Sequence, residues 1–275
     1  LEPLCRGEGL AAFALTEPEA GSDAAAIRTT ARPEDGGWVL DGTKAFITNA
    51  GNPLTRVLLN AEVTDAERGR HGISEVLVPA DAPGLAVGPP YRKLGWRASD
   101  TREVSFQGCR APGDALLGER GRGLAQALEI LDGGRITTAA LAVGLAQACL
   151  DAALGYARER RAFGRPIGAF EGVQFKLADM EVAVQTARLA TYRAAWLRDR
   201  GRPYKAAAAV AKLHASEAAV RCARDAVQVF GGAGFIEEAP VARYYRDAKI
   251  LEIGEGTSEI QRLVIARELG LPEIV

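Results

Sequence analysis

The apolar pattern changes character near residue 120. Before that point, Val57, Leu59, Ala61 and Val63 alternate with Arg56, Asn60 and Glu62, a period of two that predicts a strand with one solvated face. Turn formers recur at short intervals, at Asp35-Gly36-Gly37, Asp41-Gly42, Gly51-Asn52-Pro53 and Ala82-Pro83-Gly84. Closely spaced strands punctuated in this way predict an antiparallel barrel or sandwich over residues 1–118. Beyond Gly123 the sequence becomes Ala-rich, and Val173, Leu177, Met180, Val184 and Ala187 follow the alternating three and four of a helical seam. Three long helices are expected over 123–160, 170–200 and 204–230, with shorter ones over 240–248 and 258–268, so residues 119–275 should form a helix bundle. Strands first and helices afterwards give an α+β class and point away from a parallel sheet.

Composition narrows the field. Lys and Arg number 34 against 35 Asp and Glu, a net charge of −1 with the signs interspersed, so neither nucleic acid nor a membrane surface is an expected partner. No uninterrupted apolar run reaches the ~18 residues of a bilayer span. Cys5, Cys109, Cys149 and Cys222 form no CxxC pair, so no metal site is expected. They read as small buried hydrophobes in a reducing compartment, cytoplasm or mitochondrial matrix. The chain begins at Leu1 rather than Met, which leaves room for an upstream segment.

Three segments carry candidate chemistry, each with a plain alternative. ALTEPEAGSD at 14–23 ends a strand in a Gly- and hydroxyl-bearing loop, either an anion-holding loop or a turn in which Ser22 or Asp23 caps a short helix. GGAG at 231–234 follows a helix rather than a strand, so it reads as a helix C-terminus and not as a dinucleotide-binding loop. Glu255 lies just before a helix cap formed by Thr257, Ser258 or Glu259. It is either a solvated loop charge or a carboxylate in an apolar cleft, where desolvation would make it a stronger base. Gly254 and Gly256 favour the cleft, because glycine lets a substrate approach the backbone. His71 and His214 have no catalytic partner in sequence and read as structural.

Taken in order, these segments resemble the acyl-CoA dehydrogenases. The likeness rests on ALTEPEAGSD with Ala26 after it, AFITN at 45–49, RASDTR at 97–102, RRAFG at 160–164 and EGTSEIQR at 255–262. It also rests on the set Gln228, Gly231, Gly232, Gly234, Phe235, Glu238, Arg243 and Asp247. It covers essentially all 275 residues, as a β-barrel-like middle domain and a C-terminal four-helix bundle. Family members normally begin with a further helical domain, so the chain reads as a fragment that opens at that domain's last helix.

The resemblance implies FAD as cofactor. Leu15, Thr16, Phe46 and Thr48 would lie against the flavin ring, and Ser22 at the phosphate end of cofactor or substrate. Arg160, Phe163, Glu171, Gln228, Gly231 and Gly232 would reach the cofactor of a neighbouring subunit, implying a homodimer or homotetramer. Thr257 and Glu259 complete the cofactor set, and Ser22, Asp132, Arg135 and Gly256 the substrate set. Phe46 stands where many members have Trp, and Glu171 where Gln is frequent.

The implied reaction is oxidation of the Cα–Cβ bond of an acyl-CoA thioester, as in fatty acid β-oxidation. Glu255 takes the α-proton, its backbone NH helps hold the thioester oxygen, FAD takes the β-hydride, and an electron-transferring flavoprotein takes the electrons. Some members carry the base on the helix position occupied here by Gly134, which has no side chain to serve. Short or medium straight acyl chains are the expected substrates. Two rival expectations are an oxygen-reactive flavin oxidase or monooxygenase on the same scaffold, and a fragment or partner subunit that folds but does not turn over. Stoichiometric FAD and rapid bleaching by an acyl-CoA would contradict the last.

Overall fold

A computed structural model describes residues 2–272. The chain divides into two compact units, Leu1–Lys93 with Arg97–Glu129, and Leu94–Trp96 with Ile130–Val275.

The first unit carries helix α1 (Glu2–Cys5) and strands β1 (Leu10–Ala14), β2 (Thr30–Glu34), β3 (Gly37–Thr48), β4 (Thr55–Val63), β5 (Ile73–Pro79), β6 (Leu85–Val87), β7 (Thr101–Ala111) and β8 (Leu116–Leu117). One sheet runs β6-β7-β3-β2-β4-β5-β8, with β1 added against β4. The path is open rather than a closed barrel. Most neighbours are antiparallel as expected, but β1 and β2 both meet β4 in parallel, which corrects the purely antiparallel reading. Asp35 and Gly36 form the two-residue loop joining β2 and β3, both with positive φ (49° and 76°) as a tight hairpin demands. Asp41-Gly42 is not a turn. It lies inside β3 at a register shift, where a Cβ on Gly42 would stand 2.5 Å from Thr29.

The larger correction concerns β4. Asn60 and Glu62 are fully buried, while Val57, Leu59 and Val63 are only partly so. Period-two alternation was therefore legible, but the polar face looks onto buried charge rather than water. Its centre is Lys44, whose Nζ donates to Glu17 Oε1 (2.8 Å), the Ala61 carbonyl (2.6 Å) and the Leu15 carbonyl (3.4 Å). Glu17 also accepts from the backbone NH of Arg28 (2.7 Å) and Thr29 (3.0 Å). Glu62 and Glu75 share this interior with no hydrogen-bond partner among the described residues. Burial raises Glu62 to about 8, against the pull of Lys44, and raises Glu75 to about 7.

A folded-state pKa above the ordinary 4.5 means that Glu62 costs nothing at low pH and progressively more as pH rises from 4.5 towards about 8. Glu62→Gln, which mimics the neutral acid, should flatten that loss. Urea unfolding between pH 5 and 9 should find the variant more stable than the native protein above pH 8, by about 2–4 kcal/mol at roughly 1.4 kcal/mol per pKa unit.

The second unit is helical. Its elements are α2 (Gly123–Glu159, entering from the first unit), the small hairpin β9 (Arg161–Ala162) and β10 (Arg165–Pro166), α3 (Glu171–Asp199), α4 (Lys205–Phe230), α5 (Pro240–Ala248) and α6 (Ser258–Glu268). These bounds follow the expected ones closely. Met180, Val184, Ala187, Ala194 and Leu197 of α3 bury their seam against a core dominated by alanines of α2 and α4. Small side chains there permit close helix approach. Among the described residues, α2 is the one helix long and apolar enough by length and composition to cross a membrane, and half of its apolar window is buried inside the protein, as in a core helix. Asp247 of α5 accepts the Trp96 backbone NH at 2.6 Å, and Gly95 lies so close to Arg246 that a Cβ would stand 2.4 Å from its carbonyl oxygen. All four cysteines are free; Cys109, Cys149 and Cys222 are buried, whereas Cys5 is exposed, contrary to expectation.

Candidate active site

Glu255 occupies the loop between α5 and α6. Its φ is +57° and that of Gly256 is +87°. A left-handed Glu is held only where its surroundings fix it, and such residues concentrate at functional sites. Gln261, fully buried on α6, donates from Nε2 to the carbonyls of Glu255 (3.2 Å) and Gly256 (2.9 Å). Thr257 caps α6 by accepting the Ile260 NH at 3.2 Å, which settles the cap among the three candidates. Glu259 is exposed in the first turn, its carboxyl held below the usual range by its own backbone NH and by Thr257.

The Glu255 carboxylate faces α2 at Gly134. A Cβ built on Gly134 would stand 2.4 Å from Glu255 Oε2 and 3.1 Å from Cδ, so the two positions compete for the same space. Arg135, only 4% exposed, pairs with Asp132 one turn earlier. Its guanidinium is thus buried, and its charge acts on Glu255. Burial raises the Glu255 pKa, opposed by the charges of Lys212 and then Arg135. Glu255 is exposed by surface area, yet burial still raises its pKa, so a strengthened base remains within reach of a substrate.

Because Ala is the better helix former, Gly134→Ala should keep or raise stability by up to ~1 kcal/mol. It should nonetheless slow turnover about 10–100-fold, because the carboxylate must move aside and small misplacements of a catalytic group are costly. Thermal melts beside steady-state rates will separate the two effects.

The residues expected at the flavin ring gather in the first unit. The Ala45 NH bonds the Thr16 carbonyl at 2.9 Å, joining the end of β1 to β3, so Leu15, Thr16, Phe46 and Thr48 share one region. Leu15 is buried and Thr48 exposed; Phe46 has φ +60°, is 64% exposed and packs only loosely on Tyr91, with centroids 5.3 Å apart. Asp100 braces the segment, accepting from the Gly51 NH (2.8 Å) and from Arg102 Nε (2.7 Å). The Asp100 carbonyl also accepts the Asn49 NH at 2.9 Å, so RASDTR braces the end of AFITN. An accessible aromatic face flanked by hydroxyls fits a planar ring with polar edges. Ser22 is exposed, just ahead of a short 3₁₀ turn at Ala24–Ala26 that Asp23 precedes without a side-chain cap bond.

The remaining candidates lie at one end of the helical unit. Tyr156 stacks on Phe230 with centroids 4.1 Å apart, bringing the C-termini of α2 and α4 together. Gln228, Gly231 and Gly232 therefore lie near Arg160, Phe163 and Glu171, and all six are exposed. Phe163, at φ +50°, is 94% exposed, and a Cβ on Gly231 or Gly232 would meet nothing within 4 Å. Gly231 has φ +60° and terminates α4, as expected of a helix C-terminus. Glu255 belongs to the opposite end, since it faces Gly134 and Lys212. Those positions lie about 33 Å along α2 from Tyr156 and about 27 Å along α4 from Phe230, at ~1.5 Å per residue. One chain cannot bring both sets to one small ligand.

Sequence reasoning missed Lys212, Lys44, Glu62, Glu75 and Gln261. For Lys212 a signal existed: it falls on the seam Ala208, Lys212, Ala215, Ala219, Cys222, all buried. His214, by contrast, bonds Thr186 on α3 (2.8 Å), a structural contact.

Residues 12–109 match the acyl-CoA dehydrogenase middle domain and residues 121–270 its C-terminal domain. The chain is 50% identical over 269 residues to a probable acyl-CoA dehydrogenase, YngJ, of Bacillus subtilis, covering 98% of this chain and 70% of that protein. It is 51% identical over 269 residues to the short-chain specific acyl-CoA dehydrogenase of rat mitochondria (Rattus norvegicus), covering 98% of this chain and 65% of that protein. Among solved structures, butyryl-CoA dehydrogenase from Megasphaera elsdenii superposes with a TM-score of 0.94 at 43% identity, over 97% of this chain and 70% of that one. The chain thus spans about two thirds of the length of the curated relatives it matches. With both of its domain types matched in order and half of its residues identical to those of such relatives, the chain belongs to the acyl-CoA dehydrogenase family.

Proposed function

We propose that this protein takes part in the α,β-dehydrogenation of a short acyl-CoA thioester, with Glu255 as the base. The observation that carries the reading is the Glu255 carboxyl: held in a strained turn, its pKa raised by burial, and set against a glycine that leaves it room. Oε2, the oxygen facing Gly134, receives the α-proton, and the Glu255 backbone NH is oriented by the same turn to donate to the thioester oxygen. Lys212 and Arg135 favour the ionised carboxylate before the reaction. The short-chain preference follows the name of the rat relative and the butyryl-CoA dehydrogenase neighbour.

FAD fits the residues of the first unit: the Phe46 face would hold the ring, and the Thr16 and Thr48 hydroxyls its polar edge. When bound, the flavin supplies a two-electron acceptor for the β-hydride. Arg160, Phe163, Glu171, Gln228, Gly231 and Gly232 lie too far from Glu255 to serve the same ligand, so a second copy of the chain completes each site. Electrons leave for an electron-transferring flavoprotein, and the reaction belongs to fatty acid β-oxidation.

Anaerobic addition of butyryl-, octanoyl- and palmitoyl-CoA to the flavin-loaded protein tests this reading. Rapid bleaching of the flavin absorbance, fastest with butyryl-CoA, is the expected result. No bleaching with any of the three would refute it.

A further inference from the structure

Lys212 sits in the first half of α4 with its whole side chain buried, an expensive place for an ammonium group. Its Nζ donates to the carbonyl of Gly256 at 2.7 Å, the residue that follows Glu255. That carbonyl also accepts from Gln261, so two donors from two helices converge on one backbone oxygen in a turn whose successive residues both have positive φ. A hydrophobic residue would fill the α4 seam at less cost, as the alanines one turn to either side do.

We propose that Lys212 is the positioning residue of the Glu255 site: its buried ammonium pins the Gly256 carbonyl and thereby fixes the turn that aims the Glu255 carboxylate at Gly134. The proposal rests on Glu255 being the base. The ammonium has a second consequence, because its charge acts on the Glu255 carboxyl. The groups acting on this region are Lys212 from α4, Arg135 with its partner Asp132 from α2, Glu252 from the turn before the loop and Glu259 from α6. Burial lowers Lys212 to about 8, and Glu255 is the first of the carboxylates that hold it from falling further. Glu252 is drawn away towards Lys249, which it binds at 2.5 Å. Lys212 and Glu255 therefore titrate as a linked pair, and linkage requires each to shift the other equally.

The test needs neither flavin nor substrate. Carbon-13 NMR of glutamate-labelled protein, with Glu255 assigned through Glu255→Gln, gives the carboxyl midpoint directly. In Lys212→Met the midpoint should rise by about one unit, and amide exchange at residues 255–257 should quicken at least about tenfold. An unchanged midpoint, or unchanged exchange, in folded Lys212→Met would overturn the proposal. If that variant does not fold, the reciprocal measurement decides. In Glu255→Gln, whose altered residue lies at the surface, the Lys212 ammonium midpoint should fall by a similar amount, and a constant midpoint would overturn the coupling. Should Glu255 prove not to be the base, proton transfer would survive its replacement while these titrations remained linked, so the two failures are distinguishable.

Discussion

Replacing Glu255 by Gln is expected to slow acyl-CoA-dependent flavin reduction by about 10²–10⁴-fold, the range that a positioned general base contributes. Flavin content and thermal stability should stay close to native, because the side chain makes no hydrogen bond that the fold depends on and keeps an exposed edge. Gly134 has no side chain, so that position of α2 cannot supply a substitute carboxylate. The native rate should also depend on pH in a defined sense. Desolvation raises the Glu255 pKa, so the fraction of ionised base falls as pH drops through that raised value, at a pH where a solvated Glu would still be charged. Stopped-flow rates at several pH values, for native and variant protein, test both statements together.

The largest stability effect should come from Lys44→Met. This ammonium is fully buried and serves Glu17 and two backbone carbonyls, and its charge also acts on Glu62 and Glu75. Removing one partner of a buried pair leaves the other uncompensated and costs about 3–5 kcal/mol. Glu17 would keep its two backbone donors, whereas Glu62 and Glu75 would lose the opposing charge of Lys44. The same change frees the Leu15 carbonyl beside Thr16, so flavin retention should weaken with stability. Adding Glu17→Gln should restore part of the loss, since residues of one network are not additive. A urea midpoint for Lys44→Met equal to that of the native protein would show that the cluster is not what holds this sheet together.

How far the sequence foretells the molecule differs between the two units, for physical reasons. Helical spacing is a local signal, so the bounds of α2 to α6 were legible to within a few residues, including the break at Gly231. Strand pairing is not local: nothing near Leu10–Ala14 announces that it meets β4 in parallel. Alternation at β4 was visible, but a polar face reads as solvated unless its buried counter-charge is known, and Lys44 is supplied from β3. Lys212 shows the same difficulty on a helix, although its place on an alanine seam marked it out. At the active site, the glycine-flanked loop drew attention to Glu255, yet its confrontation with Gly134 joins residues far apart in sequence. Likewise, nothing in the motifs reveals that RRAFG and GGAG lie some 30 Å along the helices from Glu255.

Proton removal can be isolated from oxidation with a thioester that bears sulfur in place of the β-carbon, because it has α-hydrogens but no β-hydrogen to surrender as hydride. Incubating this analogue in D₂O with the flavin-loaded protein, and following its mass, reports on the base alone. Deuterium should enter the α-position rapidly with native protein and at least about 100-fold more slowly with Glu255→Gln. Exchange at the native rate in the variant would contradict the assignment of Glu255.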